Sequence, residues 1–466
     1  MAGYGAQVLS EGDISAVLGE ALRTGAEWSD LYVERRSTTS VRVSNGAVEQ
    51  IGSGLDVGAG VRVVRGDLTA YACTDLLSRD ALLDAARAAA AALDGTGSAE
   101  VRDLTRRGGP ATAAAQPDAA QVERAAKVDL ALRCEAAARA EPGGVSSVSV
   151  SYTDAHVALL MAGSSGFVSE DNRVRTRLMC RAVARADGLV QRANDDIAGT
   201  WGLELFREHT PEDLGRRVAA RAVRLLDSDP PPTGEMPVIL AKGGAGVFFH
   251  EACGHGLEAD TLVLGESVFA GRAGQRVGSP LLTGVDDPTL AGGYGSYAFD
   301  DEGTPSTPTP LLDQGVLVGD LTDLRSADAL HRPGSNGHGR RQSYAHLPQP
   351  RMSNSFISPG ADDPAAILAD TRSGLFCEGL GGGEVDPATG EFSFRVTEAY
   401  LVENGELTRR IRGAHLTGRC LETLSLVDAV GTDFASSQAL CGKAGQSVPV
   451  TYGAPTLRAR MRVGGG

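Results

Sequence analysis

Ala241 to Asp260, AKGGAGVFFHEACGHGLEAD, carries the chain from a Gly-rich turn up an apolar ramp, Val247-Phe248-Phe249, into His250, Glu251 and His255. Two imidazoles and a carboxylate within six residues form a metal-site signature with a general base attached. In the familiar H-E-x-x-H pattern the histidines are four apart and share one helix face; here the spacing is five. On an ideal helix, at about 100° per residue, the two imidazoles would splay by about 140°. One metal can hold both only if the helix widens locally. The spacing therefore predicts a π-type bulge or an early unwinding near Cys253-Gly254, a device that favours functional sites. A histidine in an apolar segment is more often packed than ligating, and eight histidines in 466 residues will sometimes cluster. The surrounding sequence has to decide.

Just upstream, Val238-Ile239-Leu240-Ala241 is a short strand entering Lys242-Gly-Gly-Ala-Gly. Strand, glycine turn and helix can cradle phosphate, but the GxxxxGK[ST] spacing is absent. Glycine is better explained by close packing beneath the metal. Further back, DSDPPPTG at 227–234 forbids helix and sheet pairing and reads as a stiff linker. It divides an N-terminal domain, 1–227, from a C-terminal domain, 228–466.

The N-terminal part opens on a helix over 10–25, with Ser10 and Asp13 as cap candidates and Ile14, Val17, Leu18, Ala21 and Leu22 at helical spacing. From Asp30 the period becomes two, with turns at Asn45-Gly46 and Arg65-Gly66. That is an antiparallel sheet. Helices are expected over 78–93, about 120–140, and from Thr210-Pro211 to Leu226; a loop over 94–118; and strands around 145–161 and 172–186. The expectation is an α+β domain with helices packed on one sheet face. His156 and His209 are isolated and read as packed residues.

After Asp260, short alternating runs such as LLDQGVLVGDL and EFSFRVTEAYLVENGEL, separated by turn signals, predict a β-rich domain of many strands carrying the metal-binding helix. Sixty glycines and 5% aromatics suit such an irregular body. The stretch 331–356 is too polar and Gly/Pro-rich for regular structure, and a loop that long is usually functional. It holds His338, Arg340, Arg341, Tyr344 and His346, donors suited to a polarised carbonyl or a substrate carboxylate. A solvated basic loop is the plainer alternative.

A net charge of -15 argues against nucleic-acid binding through a general basic surface. No apolar run nears the roughly 18 residues that span a bilayer, and MAGYGAQVLSEGDIS lacks a secretory pattern, so a cytoplasmic protein that avoids membranes is expected. Seven cysteines, scattered and without a CxxC pair, do not resemble a disulfide framework. Any metal thiolate must come from an isolated cysteine, and by residue chemistry alone Cys441, Cys253 and Cys377 rank almost equally. Cys73, Cys134, Cys180 and Cys420 read as buried inert thiols.

HEACGHGLEAD at 250–260, FAGRAGQRVGSP at 269–280, FDDEGTP at 299–305, GRRQSYAHLPQPRMSN at 339–354, GGGEVDPATGEFSF at 381–394 and CGKAGQSVPVTYGAPTLR at 441–458 together resemble the TldD/PmbA metallopeptidases, on the TldD branch that keeps its metal ligands. The blocks occur in the family's order across nearly the whole C-terminal half. The resemblance implies that His250 and His255 bind zinc, that Cys441 is the third protein ligand, and that Glu251 is the catalytic carboxylate. Three protein ligands with an open fourth position are what a catalytic zinc site needs. Two departures stand out: Cys253 inside the motif could compete as a ligand, and Thr432 sits where the family more usually has Asn.

The function so implied is a cytosolic zinc-dependent peptidase acting on unstructured peptides, including leader segments, held as an extended strand. Glu251 would take the water proton and pass it to the leaving amine. The loop residues Arg340, Arg341, Tyr344 and His346 are candidates for substrate binding. The resemblance also implies a heterodimer with a metal-less PmbA/TldE-like paralogue, or else a homodimer. The contrasting reading is a non-catalytic peptide-binding or regulatory subunit of such a complex.

Overall fold

The structure is a computed structural model that describes residues 9–93, 95, 99–110 and 122–465. Its N-terminal sheet has seven strands: β1 (Trp28–Ser44), β2 (Ala47–Arg65), β3 (Leu68–Thr74), β4 (Thr105–Arg106), β5 (Val145–Gly163), β6 (Phe167–Ala186) and β7 (Leu189–Gly199). The spatial order is β3-β2-β1-β5-β6-β4, with β7 also on β6. The β1–β2 turn is the expected Asn45-Gly46 pair, with φ of 49° and 83°, the left-handed conformation these residues tolerate best. The alternation in β1, β2 and β5 sets which face is buried. Leu31, Val33, Val41 and Val43 all point to one face, and so do their neighbours Leu160, Ala162, Val148 and Val150 on β5.

Two helix pairs cover that face. Glu11–Ala21 and Arg79–Ala91 pack at one end, while Arg124–Arg139 and Pro211–Arg224 pack at the other. Ser10, Ser78 and Thr210 side chains accept the orphan N–H groups of Asp13, Ala81 and Asp213, so three of these helices begin at hydroxyl N-caps. Of the loop expected over 94–118, positions 94, 96–98 and 111–118 lie outside the described residues. Within the remainder Thr105 and Arg106 form a strand parallel to Phe167 and Val168. That pairing depends on a partner some sixty residues away, which local composition does not show.

The described C-terminal half has two large sheets and a two-stranded pairing of Gly339–Arg340 with Gln349–Pro350. In one, Ser373–Val385, Gly234–Leu240, Leu457–Gly465, Ala414–Arg419 and Glu391–Glu403 pair in that order, and the last pairs back onto the first, so the five close into a ring. The other is six-stranded; its end strand is Ala435–Lys443, next to Gln446–Ala454 and then Asn354–Ile357. The largest apolar core lies between ring and sheet, and the quoted motif runs through it. Phe248 meets Phe392 and Phe394 of the ring edge-on, with centroids 6.0 and 6.3 Å away. On the other side a Cβ at Gly246 would fall 2.6 Å from the Gly453 nitrogen, so only glycine lets the helix lie this close to the sheet.

The halves are joined by buried ion pairs. Arg62 lies 2.6 Å from both Asp30 and Glu302, and Arg173 bridges Asp171 and Asp301 at 2.9 and 2.7 Å. Burial alone would raise the Asp301 carboxyl; Arg173 and the Arg341 N–H instead hold it below its ordinary range. A carboxylate whose folded-state pKa is lowered contributes stability above its unfolded value and loses it as pH falls through the folded one. The Arg173–Asp301 pair should therefore weaken only below about pH 4. Asp301→Asn leaves Arg173 short of a partner and should cost about 3–5 kcal/mol, the usual scale for half of a buried pair, read as a lower melting temperature at neutral pH. A variant melting with the native protein would show that Asp171 alone satisfies Arg173.

Candidate metal centre

The motif helix changes its winding at the predicted place. Gly243, at φ 79°, turns the chain out of its strand; Gly244–Phe249 is α-helical; His250–Gly254 is π-helical; and His255–Leu257 tightens to a 3-10 turn. The wide turn carries the extra residue of the five-residue spacing, so both imidazoles face the same way. Their rings lie 5.0 Å apart at 83° to each other. Gly254 at the end of the wide turn has its own reason to lack a side chain: a Cβ there would fall 1.9 Å from the Met352 sulfur.

The third group arrives from the end strand of the six-stranded sheet. Cys441 Sγ lies 3.2 Å from His250 Nε2 and 3.4 Å from His255 Nε2, and the three donor atoms fall within 4.8 Å of one another. The strand is held in place by its pairing with Gln446–Ala454 and by Arg351, which donates to the Cys441 carbonyl oxygen at 2.6 Å. Burial raises the Cys441 thiol, but the imidazoles of His250 and His255 outweigh it and hold the group well below the ordinary thiol range, as a thiolate.

Around this trio stands a carboxylate support. His255 Nδ1 is 2.9 Å from Glu258 Oε2, which leaves Nε2 free to face the thiolate, the carboxylate–histidine arrangement that orients metal ligands. Burial would raise Glu258; Lys443, 3.0 Å away, with His255 and Arg351 keeps it well below the usual carboxylate range. Burial disfavours charge on His255, yet Glu258 and Cys441 draw its pKa well above the ordinary value. A position between the Cys441 sulfur and the buried Glu258 carboxylate thus favours a cation. The donor set, two imidazoles and a thiolate with one side open to a cavity of about 410 Å³, fits a metal ion. Buried His250 Nδ1 has no hydrogen-bond partner among the described residues, so the two imidazoles are not equally supported.

Glu251 sits beside the trio, its carboxylate 3.8 Å from His255 Nε2 and facing the cavity. Burial raises its pKa above the ordinary value, against the pull of His250 and His255. Gly383, on the opposite wall, packs so closely that a Cβ there would lie 3.0 Å from Glu251 Cγ and 2.5 Å from the Phe394 ring. The glycines of the GGGEVD block make room for the carboxylate and for whatever enters the cleft.

The remaining candidates lie elsewhere. Cys253 and Cys377 are buried in the apolar core, outside the donor cluster, and burial raises both thiols. Cys73, expected to be buried, is exposed on β3, an edge strand with little to pack against that position. Arg340, Arg341, Tyr344 and His346 do not line the cavity. Arg340 is buried and donates to the carbonyls of Met352 and Pro449. Arg341 stacks 4.3 Å over the Tyr32 ring and donates to Asp301 O at 3.0 Å. Tyr344 N donates to Glu34, and His346 contacts Ser343. This loop, polar enough to suggest a substrate surface, ties the halves together. Glu258 and Arg351 carry no role in the sequence reading, although a carboxylate three residues after a ligand-type histidine is a usable signal for Glu258.

Comparison with known proteins identifies the family. Three family models match the chain: PmbA/TldA metallopeptidase domain 1 over residues 29–93, the central domain over 117–226, and the C-terminal domain over 233–465. A metalloprotease of Methanothermobacter thermautotrophicus is 34% identical over 94% of this chain and 96% of its own, and a metalloprotease TldD homolog of Haemophilus influenzae is 33% identical over 94% and 93%. The crystal structure of TldE from Thermococcus kodakarensis shares the fold, with a TM-score of 0.74 at 17% identity over 94% of this chain and 97% of that one. With its helix-covered sheet, its ring and its His/His/Cys cluster, the chain belongs to the PmbA/TldD family of metallopeptidases.

Proposed function

We propose that this metallopeptidase is zinc-dependent, that His250, His255 and Cys441 hold the ion, and that Glu251 is the general base in the cleavage of unstructured peptides or leader segments. The observation that carries this reading is the convergence of three donor atoms within 4.8 Å of one another, with the Glu251 carboxylate beside them at the open side. Two imidazoles and a thiolate suit zinc, which when bound supplies Lewis acidity to a scissile carbonyl and a more acidic water. Glu251 accepts the proton of the attacking water and delivers it to the leaving amine. His250, His255 and Cys441 stay fixed during this, because helix, strand and the Glu258–Lys443 support are all buried or paired.

The cleft walls support an extended substrate. One wall is Ala439 to Lys443 on an end strand; the other is Gly382 to Val385, past the point where Ser373–Val385 pairs with Gly234–Leu240 at Leu375 to Cys377. Each offers main-chain donors and acceptors that a peptide lacking its own structure can take up. Folded substrates have those groups already paired. We place the enzyme in the cytoplasm as a heterodimer with a metal-less paralogue of the TldE kind, the homodimer being the second arrangement. Among the described residues no helix is long and apolar enough to cross a membrane.

The test is co-expression with the paralogue, then mass spectrometry of peptide cleavage with and without chelator. An unfolded polypeptide should be cut at least tenfold faster than its folded counterpart, and chelation should abolish both. Equal rates for folded and unfolded forms would remove the extended-strand reading, and cleavage that survives complete removal of metal would remove the metal assignment.

A further inference from the structure

A second cavity, of about 650 Å³, opens between the N-terminal sheet and the ring. Arg181 on β6, Arg192 on β7, Arg221 on the helix Pro211–Arg224, Arg395 on Glu391–Glu403, Arg412 just before the ring strand Ala414–Arg419 and His415 on it all line it. No aspartate or glutamate is among its lining residues. In a chain with net charge -15, five arginines around one cavity run against the composition. Arg181, Arg192 and Arg412 have no carboxylate partner among the described residues. Arg221 is already paired, lying 3.3 Å from Glu398 and 3.9 Å from Asp195. Guanidinium groups lining one cavity without a carboxylate among them favour an anion there, which can take their N–H donors in pairs.

The surroundings select the kind of anion. No phenylalanine, tyrosine or tryptophan lines the cavity to stack a base. A strand edge does border it: among the described residues β7 pairs with β6 alone, and its residues Gln191 to Asn194 line the cavity. That strand then runs on toward Ala435–Lys443, the strand of Cys441. From the other side, Arg395 donates to the carbonyl of Gly381 at 3.4 Å, one residue from the glycine wall of the catalytic cleft. The basic cavity and the cleft are thus linked through neighbouring elements, β7 beside Ala435–Lys443 on one side and Arg395 beside the glycine wall on the other.

We propose that this cavity is a docking site for an acidic segment of the peptide substrate, held apart from the bond being cut. The proposal rests on the peptidase reading for its substrate, but its binding test does not need turnover. Two fluorescent unstructured peptides are compared, identical around the scissile bond, one ending in oligoglutamate and the other in oligoserine. Fluorescence anisotropy gives affinity for the full-length protein, with its paralogue where turnover requires it, and cleavage gives KM and kcat.

The oligoglutamate peptide should bind about tenfold or more tightly at moderate ionic strength, with the advantage fading in high salt. It should show the difference in KM and not in kcat. Arg181→Gln, Arg192→Gln and Arg412→Gln combined should erase the advantage and leave the oligoserine peptide unchanged; Arg412→Gln alone should erase part of it, which keeps the test decisive if the triple variant melts early. Equal binding of the two peptides, or an advantage that survives in a folded triple variant, overturns the proposal. So does an oligonucleotide or inorganic pyrophosphate that binds in an arginine-dependent way while the glutamate tail gains nothing. If the tail binds through these arginines but neither peptide is cut, the docking site stands and the peptidase reading falls.

Discussion

Glu251→Gln should lower kcat/KM by about two to four orders of magnitude while the protein keeps its metal, the usual scale for loss of a general base. The amide has the shape of the carboxylate but cannot accept a proton from water. The three candidate ligand atoms belong to His250, His255 and Cys441, so the substitution leaves the donor set intact. It also leaves the packing intact, because the limiting contact is between Gly383 and the Glu251 methylene, which glutamine retains. Metal analysis beside a peptide-cleavage assay checks both halves. A metal-loaded variant that turns over at near the native rate removes Glu251 from the mechanism; one that has lost its metal makes Glu251 a ligand or an essential support.

Cys441→Ala should cost most of the bound zinc and nearly all activity. Two imidazoles alone hold zinc loosely, and the thiolate that both of them contact comes from 191 and 186 residues downstream. Cys253→Ala and Cys377→Ala should leave zinc near stoichiometric, because both thiols sit in the apolar core away from the donor atoms. Metal binding is linked to folding: at free zinc about 1,000 times the dissociation constant the native state gains about 4 kcal/mol, which the Cys441 variant should forfeit as a lost rise in melting temperature. Zinc content and melting temperature of the three single variants decide the matter. Should Cys253→Ala be the one that empties the site, the ligands are local to the motif helix and the downstream strand has another purpose.

Much of the local geometry was legible in the amino-acid order. The five-residue step between His250 and His255 demands a wider turn than an α-helix provides if both are to face one ion, and the π-helical turn lies there, over His250–Gly254. Asn45-Gly46 marks a hairpin, and Ser10, Ser78 and Thr210 start helices, because these depend on backbone angles and hydrogen bonds within a few residues. The loop 331–356 shows the opposite. Its arginines look like substrate donors by composition, yet Arg340 and Arg341 are buried against Met352, Pro449, Tyr32 and Asp301. A guanidinium has the same chemistry in either setting, and only its neighbours assign it.

The same distinction separates the cysteines. Residue type left Cys441, Cys253 and Cys377 nearly equal, and only the family resemblance singled out the first. Their difference is tertiary: two lie in apolar packing that raises a thiol, and one lies between two imidazoles that lower it. What the sequence by itself determined was the set of short-range elements, the widened turn and the chemistry available at it, since these follow from periodicity, capping and spacing along the chain. The tertiary structure alone decided that an end strand crosses the π-helical turn to bring in the thiolate, that Glu258 and Lys443 stand behind His255, and that five strands close into a ring beneath them. Those contacts join residues far apart in the chain, and they are selected by burial and charge pairing in the folded whole, for which no local pattern carries a signal.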